Sequence, residues 1–267
     1  MQKAKLDNPP PCDLAALAEP YDGVPPPHAL QLGDSVCKAP PGKPIPATMG
    51  SKPTGGAPQH LDTPDYGRHW VSIRTPAAGI SELMTYRKAV NVTNESNDFT
   101  YVLIAASKNS TMLTTAGTLE VGWGDFGSSY GYGTAPVVMS GANLQGVVHT
   151  EIAIAAGQSR WFHIKHAGSN IWRGYIYHNG NWVELRSVNL GRTTCASCWV
   201  FFEMGNYVGA NHPILPTCQV MSTQLKQYGT WKDRTPGMFS TVETVTQPTY
   251  SATWTTKYIN WSAQGGP

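Results

Sequence analysis

An all-β fold is predicted: an antiparallel β-sandwich of two packed, highly curved sheets with a Pro-rich N-terminal arm. Three observations carry this expectation. From Tyr66 onward, short runs rich in β-branched and aromatic residues alternate with clusters of Gly, Asn and Ser, the pattern of short strands joined by turns. Beyond residue 20, no segment keeps a 3.6-residue apolar period over three turns, so no long amphipathic helix competes. Thirteen of the 21 prolines fall within residues 1–60, a composition that favours extended backbone and cannot build a core.

The elements follow in chain order. Residues 1–60 read as an extended arm, pro-segment or linker, and 61–267 as the β-sandwich catalytic domain. Within the arm, "DLAALAEP" (13–20) can form one short helical turn before Pro20. The strand runs are "HWVSIRT", "MTYRKAVNVT", "FTYVLIAAS", "TLEVGW", "APVVMS", "HTEIAIAA", "RWFHIKH", "WRGYIYH", "NWVELRSV", "CWVFFEM" and "YSATWTTKYINW". "HNGN" (178–181) joins two of them, and its central Asn-Gly predicts a tight hairpin. Strands this numerous and this short need a second sheet to cover their apolar face. No repeat of 20–50 residues indicates a propeller or solenoid.

Composition narrows the function classes. Charged residues make up 13% of the 267-residue chain, about half the usual share, while 40% of the chain is apolar. The net charge of +2 comes without a basic stripe, so neither nucleic acid nor an anionic membrane is expected as partner. The longest apolar runs span about six residues against the roughly 20 that a membrane helix needs. A charge-poor surface rich in Thr, Ser, Asn, Gln and Gly suits a secreted, extracellular, monomeric protein. The N-terminal "MQKAKLDNPPPC" has no apolar h-region, so a signal peptide is not expected within this chain.

The five cysteines are Cys12, Cys37, Cys195, Cys198 and Cys218. Cys12 and Cys37 bracket a Pro-rich segment and can pair. An odd count leaves at least one cysteine unpaired, and Cys218 is expected to pair with one member of the Cys195–Cys198 motif. Together with His212 these three could also hold zinc, but a lone knuckle spacing is a weak signal. No phosphate loop, HExxH or EF-hand pattern occurs, so no cofactor or metal is expected. Asn91, Asn94, Asn109 and Asn260 open N-x-S/T sequons.

The chemistry centres on glutamate. Only eight occur in the chain, and Glu120 interrupts an apolar strand in "TLEVGWGDFG" (118–127). Alternate strand residues share a face, which puts Gly122 beside Glu120 and predicts open space there for a ligand. "CWVFFEMGNYV" (198–208) repeats the arrangement: Glu203 shares its face with Trp199, Phe201 and Gly205. A carboxylate in such surroundings is costly unless it is paired or protonated. Two of them brought together would share a proton and titrate as a unit. That arrangement suits acid hydrolysis, in which one carboxylate activates water and its protonated partner donates to the leaving group. Glu184 in "NWVELRS" and Glu151 in "HTEIAIAA" are rivals for the second role.

"TLEVGW" followed by "SSYGYGTAPVVMS" resembles the neprosin family, in which an I/L-E-x-G-W strand precedes a Tyr-Gly turn and a further strand. "VFFEMGNYV" is similar to that family's second glutamate strand. The resemblance runs loosely over residues 66 to 250. It implies a β-sandwich glutamic peptidase, a prolyl endopeptidase working in acid, with Glu120 and Glu203 as the catalytic pair. Gly122, Trp123, Tyr130 and Gly205 are then expected to line the groove for a peptide or unfolded protein. The Pro-rich arm could occupy that groove until trimmed at acid pH.

Other readings from the residues are a secreted carbohydrate- or surface-binding sandwich, using nine tryptophans and twelve tyrosines as stacking platforms, and a glycosidase using the same carboxylates. "GSSYG" (127–131) matches a nucleophile elbow with Ser129 at its centre, but that elbow needs a helix after it. The sequence there reads as a turn and another strand.

Overall fold

A computed structural model describes residues 8–18, 34–44, 65–73, 77–85, 98–108, 117–126, 133–140, 145–155, 157–206, 215–235, 241–246, 250–256 and 260–265. Among these, one helix, α1 (Leu14–Ala18), accompanies two packed sheets.

The nine-stranded sheet runs β1 (Val36–Lys38), β11 (Asn181–Asn189), β10 (Ile171–His178), β9 (Ser159–Gly168), β4 (Gly79–Thr85), β13 (Leu215–Gln227), β17 (Asn260–Gly265), β16 (Tyr250–Thr256), with β14 (Thr230–Asp233) added to β13. The eight-stranded sheet runs β15 (Thr241–Thr246), β3 (Asp65–Ile73), β12 (Ser197–Asn206), β5 (Asp98–Ser107), β6 (Thr118–Phe126), β7 (Gly133–Ser140), β8 (Gln145–Val148), β2 (Lys43–Pro44). All pairings are antiparallel except β1 with β11. The expected all-β sandwich is therefore observed.

Strand alternation builds the interior. Val102, Ile104, Leu119, Val121, Trp123 and Val200 from the eight-stranded sheet meet Phe162, Ile164, Trp172, Ile176 and Val183 from the other, all fully buried. Gly174 lies at the contact with β6: a Cβ there would overlap the Cγ2 methyl of Val121. A second apolar layer, Trp161, Tyr175 and Trp182, is buried with Val36, Leu83 and Tyr177. Asn179 and Gly180 join β10 to β11 with φ of 47° and 77°, the left-handed pair a two-residue hairpin requires.

The described parts of the arm are woven into the sandwich rather than standing apart from it. Val36, Cys37 and Lys38 pair in parallel with Trp182, Val183 and Glu184, and Lys43 and Pro44 pair with Val148 and Val147. Residues 34–44 thus cover an edge strand of each sheet, where unpaired backbone groups would otherwise invite other chains. Cys12 and Cys37 form the expected disulfide. Asp13 caps α1 by accepting from the Ala15 amide at 2.9 Å, and Leu17 is buried in the main core. The side-chain amide of Asn179 donates to the Ala16 carbonyl, and His178 Nε2 lies 3.0 Å from the Leu17 carbonyl oxygen. These segments therefore sit at sheet edges, not across the face that carries Glu120.

Candidate active site

β5 is the axis of the site, with β6 on one side and β12 on the other. Ala105 pairs with both Glu120 and Trp199, Leu103 with Gly122 and Phe201, and Tyr101 with Gly124 and Glu203. The two glutamates thus occupy one face of one sheet, four residues apart in register with a single strand between them. That face is opposite the core, because Leu119, Val121 and Trp123 alternate with Glu120 and point into the sandwich.

Glu120 is 2% exposed, and its neighbours Leu103, Ala105, Val137 and Met139 are buried as well. On a flat pleated lattice, four residues along and two strands across place the two glutamate Cα positions about 17 Å apart. The expected sharing of a proton turns on the Glu203 side chain, which lies outside the described side chains.

The other expected site residues fall in different places. Trp123 does not line a groove: it is fully buried between the sheets. Gly122 does share the glutamate face, but the space beside it is not open. An added Cβ would meet the Val102 carbonyl oxygen and, at 2.8 Å, the Leu103 Cα. Glycine is required there because β5 passes so close. Gly205 adjoins a bulge, since β3 pairs Gly67 with Met204 and Asp65 with Gly205 and leaves Tyr66 as the extra residue; a strand glycine commonly marks such a bulge. Tyr130 and Ser129 lie outside the described residues. The element following them is the strand β7, paired with β6 from Phe126–Gly133 onward, so the helix a nucleophile elbow needs is replaced by a strand.

Both rival carboxylates have structural partners. Glu184 Oε2 lies 3.2 Å from Arg173 Nη1 on the nine-stranded sheet, where burial pushes its carboxyl above the usual range while Arg173 and Lys38 pull it back. Glu151 Oε1 lies 2.6 Å from His149 Nδ1, just past β8. Neither glutamate is on the strands that carry the pair.

The cysteine expectation needs correction. Cys195 and Cys198 are bonded to each other, and Cys218 is buried outside any disulfide. The CxxC pair is thus committed to a disulfide, which leaves it no thiolates for zinc. His212 lies outside the described residues, as do the sequons at Asn91, Asn94 and Asn109. Asn260 accepts from the Ser222 amide at 2.8 Å.

Other surfaces offer less chemistry. A cavity of about 1210 Å³ is walled by residues 8–12, 14, 34–36 and 38–41, mostly prolines and small side chains. It holds no pair of carboxylates. Trp123, Trp161, Trp172, Trp182 and Trp261 are buried, and the exposed large hydrophobics among the described residues are Leu14 and Tyr228. That leaves these five tryptophans unavailable as sugar-stacking platforms.

No protein-family model matches the sequence, and no curated protein matches it. Solved structures do share the fold. One is the crystal structure of Scytalido-glutamic peptidase with a peptide-based transition state analog, at a TM-score of 0.51 and 10% identity, covering 76% of this chain and 98% of that one. Another is the same peptidase with a transition state analog inhibitor, at a TM-score of 0.51 and 9% identity, with the same coverage. The sandwich is thus the architecture found in a glutamic peptidase.

Proposed function

We propose that the protein is a secreted glutamic endopeptidase that works in acid, with Glu120 and Glu203 as its catalytic pair. The observation carrying this reading is the register: both glutamates fall on one face of one sheet, either side of β5, in a fold shared with Scytalido-glutamic peptidase. One carboxylate accepts a proton from water as the water oxygen bonds to the scissile carbonyl carbon. The other, protonated, gives its proton to the amide nitrogen as the C–N bond breaks. The proton taken from water then resets the pair, and no covalent enzyme intermediate forms. Cleavage beside proline, implied by the neprosin resemblance, is supported by the aromatic positions Trp70, Trp199, Phe201 and Tyr101 on the same face. Two disulfides favour an oxidising compartment.

The test is digestion of an unfolded Pro-containing protein between pH 3 and pH 7, read by mass spectrometry. Wild type, Glu120→Gln and Glu203→Gln are compared after circular dichroism confirms folding. Acid cleavage by wild type alone establishes the pair, and the cut sites give the specificity. Cleavage surviving either substitution removes that residue from the mechanism. A folded wild type that cuts nothing at any pH ends the peptidase reading and returns attention to a binding module.

A further inference from the structure

One pleat away from Glu120, the glutamate-bearing face carries a row of three hydroxyls. Ser197 on β12 stands opposite Ser107 on β5, and Ser107 stands opposite Thr118 on β6. All three side chains are buried. The Thr118 hydroxyl donates to Ser107 Oγ at 3.3 Å, a contact that two opposed residues make only when their side chains leave the sheet on the same side. Their chain neighbours Ala106, Leu119 and Cys198 point the other way, into the core.

Glu120 is the next residue along this face. Thr118 precedes it by two residues on β6, and its partner Ala105 is two residues from Ser107 on β5. Diagonal neighbours of that kind lie about 7–8 Å apart, within reach of a long side chain. The other described positions around Glu120 on β5, β6 and β7 are Leu103, Ala105, Gly122, Val137 and Met139, and none of their side chains offers a donor. Glu120 is itself buried, and a carboxyl so placed is costly unless it is hydrogen-bonded.

We infer that Ser107 and Thr118 are positioning residues for Glu120, with Thr118 donating to Ser107 and Ser107 donating to the Glu120 carboxylate; this rests on the catalytic role proposed for Glu120. A hydroxyl has one donor hydrogen and two acceptor lone pairs, so Ser107 can serve both states that acid–base chemistry requires. When Glu120 is ionised, Ser107 donates to it. When Glu120 is protonated, the carboxyl donates to Ser107 Oγ, and the serine hydrogen turns towards Ser197. No proton leaves Glu120 along the row; only a hydroxyl hydrogen changes direction. The consequence is a carboxyl held in one orientation, on which the rate of a positioned reaction depends.

Stability and kinetics are both measured on the full-length chain. In a double-mutant cycle, Ser107→Ala is introduced into wild type and into Glu120→Ala, and denaturant unfolding at neutral pH gives the folding equilibrium constants. A hydrogen bond to a charged group predicts a loss of about tenfold in wild type. Without the carboxylate the loss should shrink to about threefold, the Thr118 bond alone. Equal losses in the two backgrounds overturn the inference. In acid, folded Ser107→Ala should show kcat lowered about tenfold with KM within about twofold, because the hydroxyl orients the carboxyl and does not touch substrate. An unchanged kcat overturns the inference equally. Should Ser107→Ala not fold, Thr118→Val removes a hydroxyl at nearly constant shape and should lower kcat about threefold, while Thr118→Ser should retain the wild-type value. A Thr118→Val variant with wild-type kcat and no coupling to Glu120→Ala overturns it as well. A wild type without peptidase activity would defeat the catalytic reading alone, since the stability cycle still decides whether the hydroxyls hold Glu120.

Discussion

Replacing His163 with phenylalanine should flatten the loss of stability on acidification. His163 lies in β9, fully buried among Tyr175, Trp182 and Trp231, whose ring centroids are 5.8, 5.4 and 4.6 Å away. Among the described residues, neither ring nitrogen finds a hydrogen-bond partner. Burial, followed by the charges of Lys165 and Lys226, holds its pKa well below 6.5. The unfolded chain therefore binds a proton below about pH 6.5 that the native state refuses, so stability falls as pH falls from there towards the depressed native value. One proton corresponds to about 1.4 kcal/mol per pH unit, so between pH 7 and pH 5 wild type should lose about 2 kcal/mol relative to His163→Phe, which carries no proton. That is a Tm difference of roughly 4–8 °C for a domain of this size. Glu184 works in the opposite sense: its raised pKa makes the native state the better proton binder, a stabilisation gained as pH falls and lost as it rises. His166, also lowered by burial and Lys226, adds to the acid loss. Both terms are common to the two proteins and cancel in the difference. Guanidinium unfolding at pH 7, 6 and 5, with linear extrapolation, gives the two stability curves. Parallel curves would refute the claim that His163 is buried neutral.

Three further outcomes follow from the packing. Gly174→Ala should cost about 1–3 kcal/mol by overpacking, because its Cβ overlaps the stiff Val121 side chain, and adding Val121→Ala should restore part of the loss in a double-mutant cycle. Glu184→Gln leaves the mostly buried Arg173 without its carboxylate partner and should destabilise by about 3 kcal/mol, yet the folded variant should retain the wild-type specific activity. Cys12→Ser with Cys37→Ser opens a loop of 25 residues and should lower stability by about 3 kcal/mol on the chain-entropy account, read by calorimetry against oxidised wild type.

The sequence by itself determined most of the strands and which residues could do chemistry, although the expected strand "HTEIAIAA" (149–156) is turn and coil where it is described and the strand Leu215–Gln227 was not foreseen. Alternation is local: "TLEVGW" shows that Glu120 and Trp123 lie on opposite faces wherever the strand goes, and "HNGN" fixes its hairpin through the left-handed backbone of two residues. The helical turn in "DLAALAEP" was legible for the same reason. What alternation cannot supply is the identity of the neighbouring strand. The face opposite Glu120 became the core, so Trp123 packs inside, and the Val102 carbonyl fills the space beside Gly122. Proline content marked residues 1–60 as unable to form a core, but not that residues 34–44 would cover edges of both sheets. The closest cysteine in sequence also proved the right partner for Cys195, while Cys218 went to the opposite sheet. Register decided the rest: Glu120 and Glu203, 83 residues apart in sequence, flank β5 on one face, as Ser197 and Thr118 flank Ser107, because hydrogen bonding between strands distant in the chain sets which residues meet.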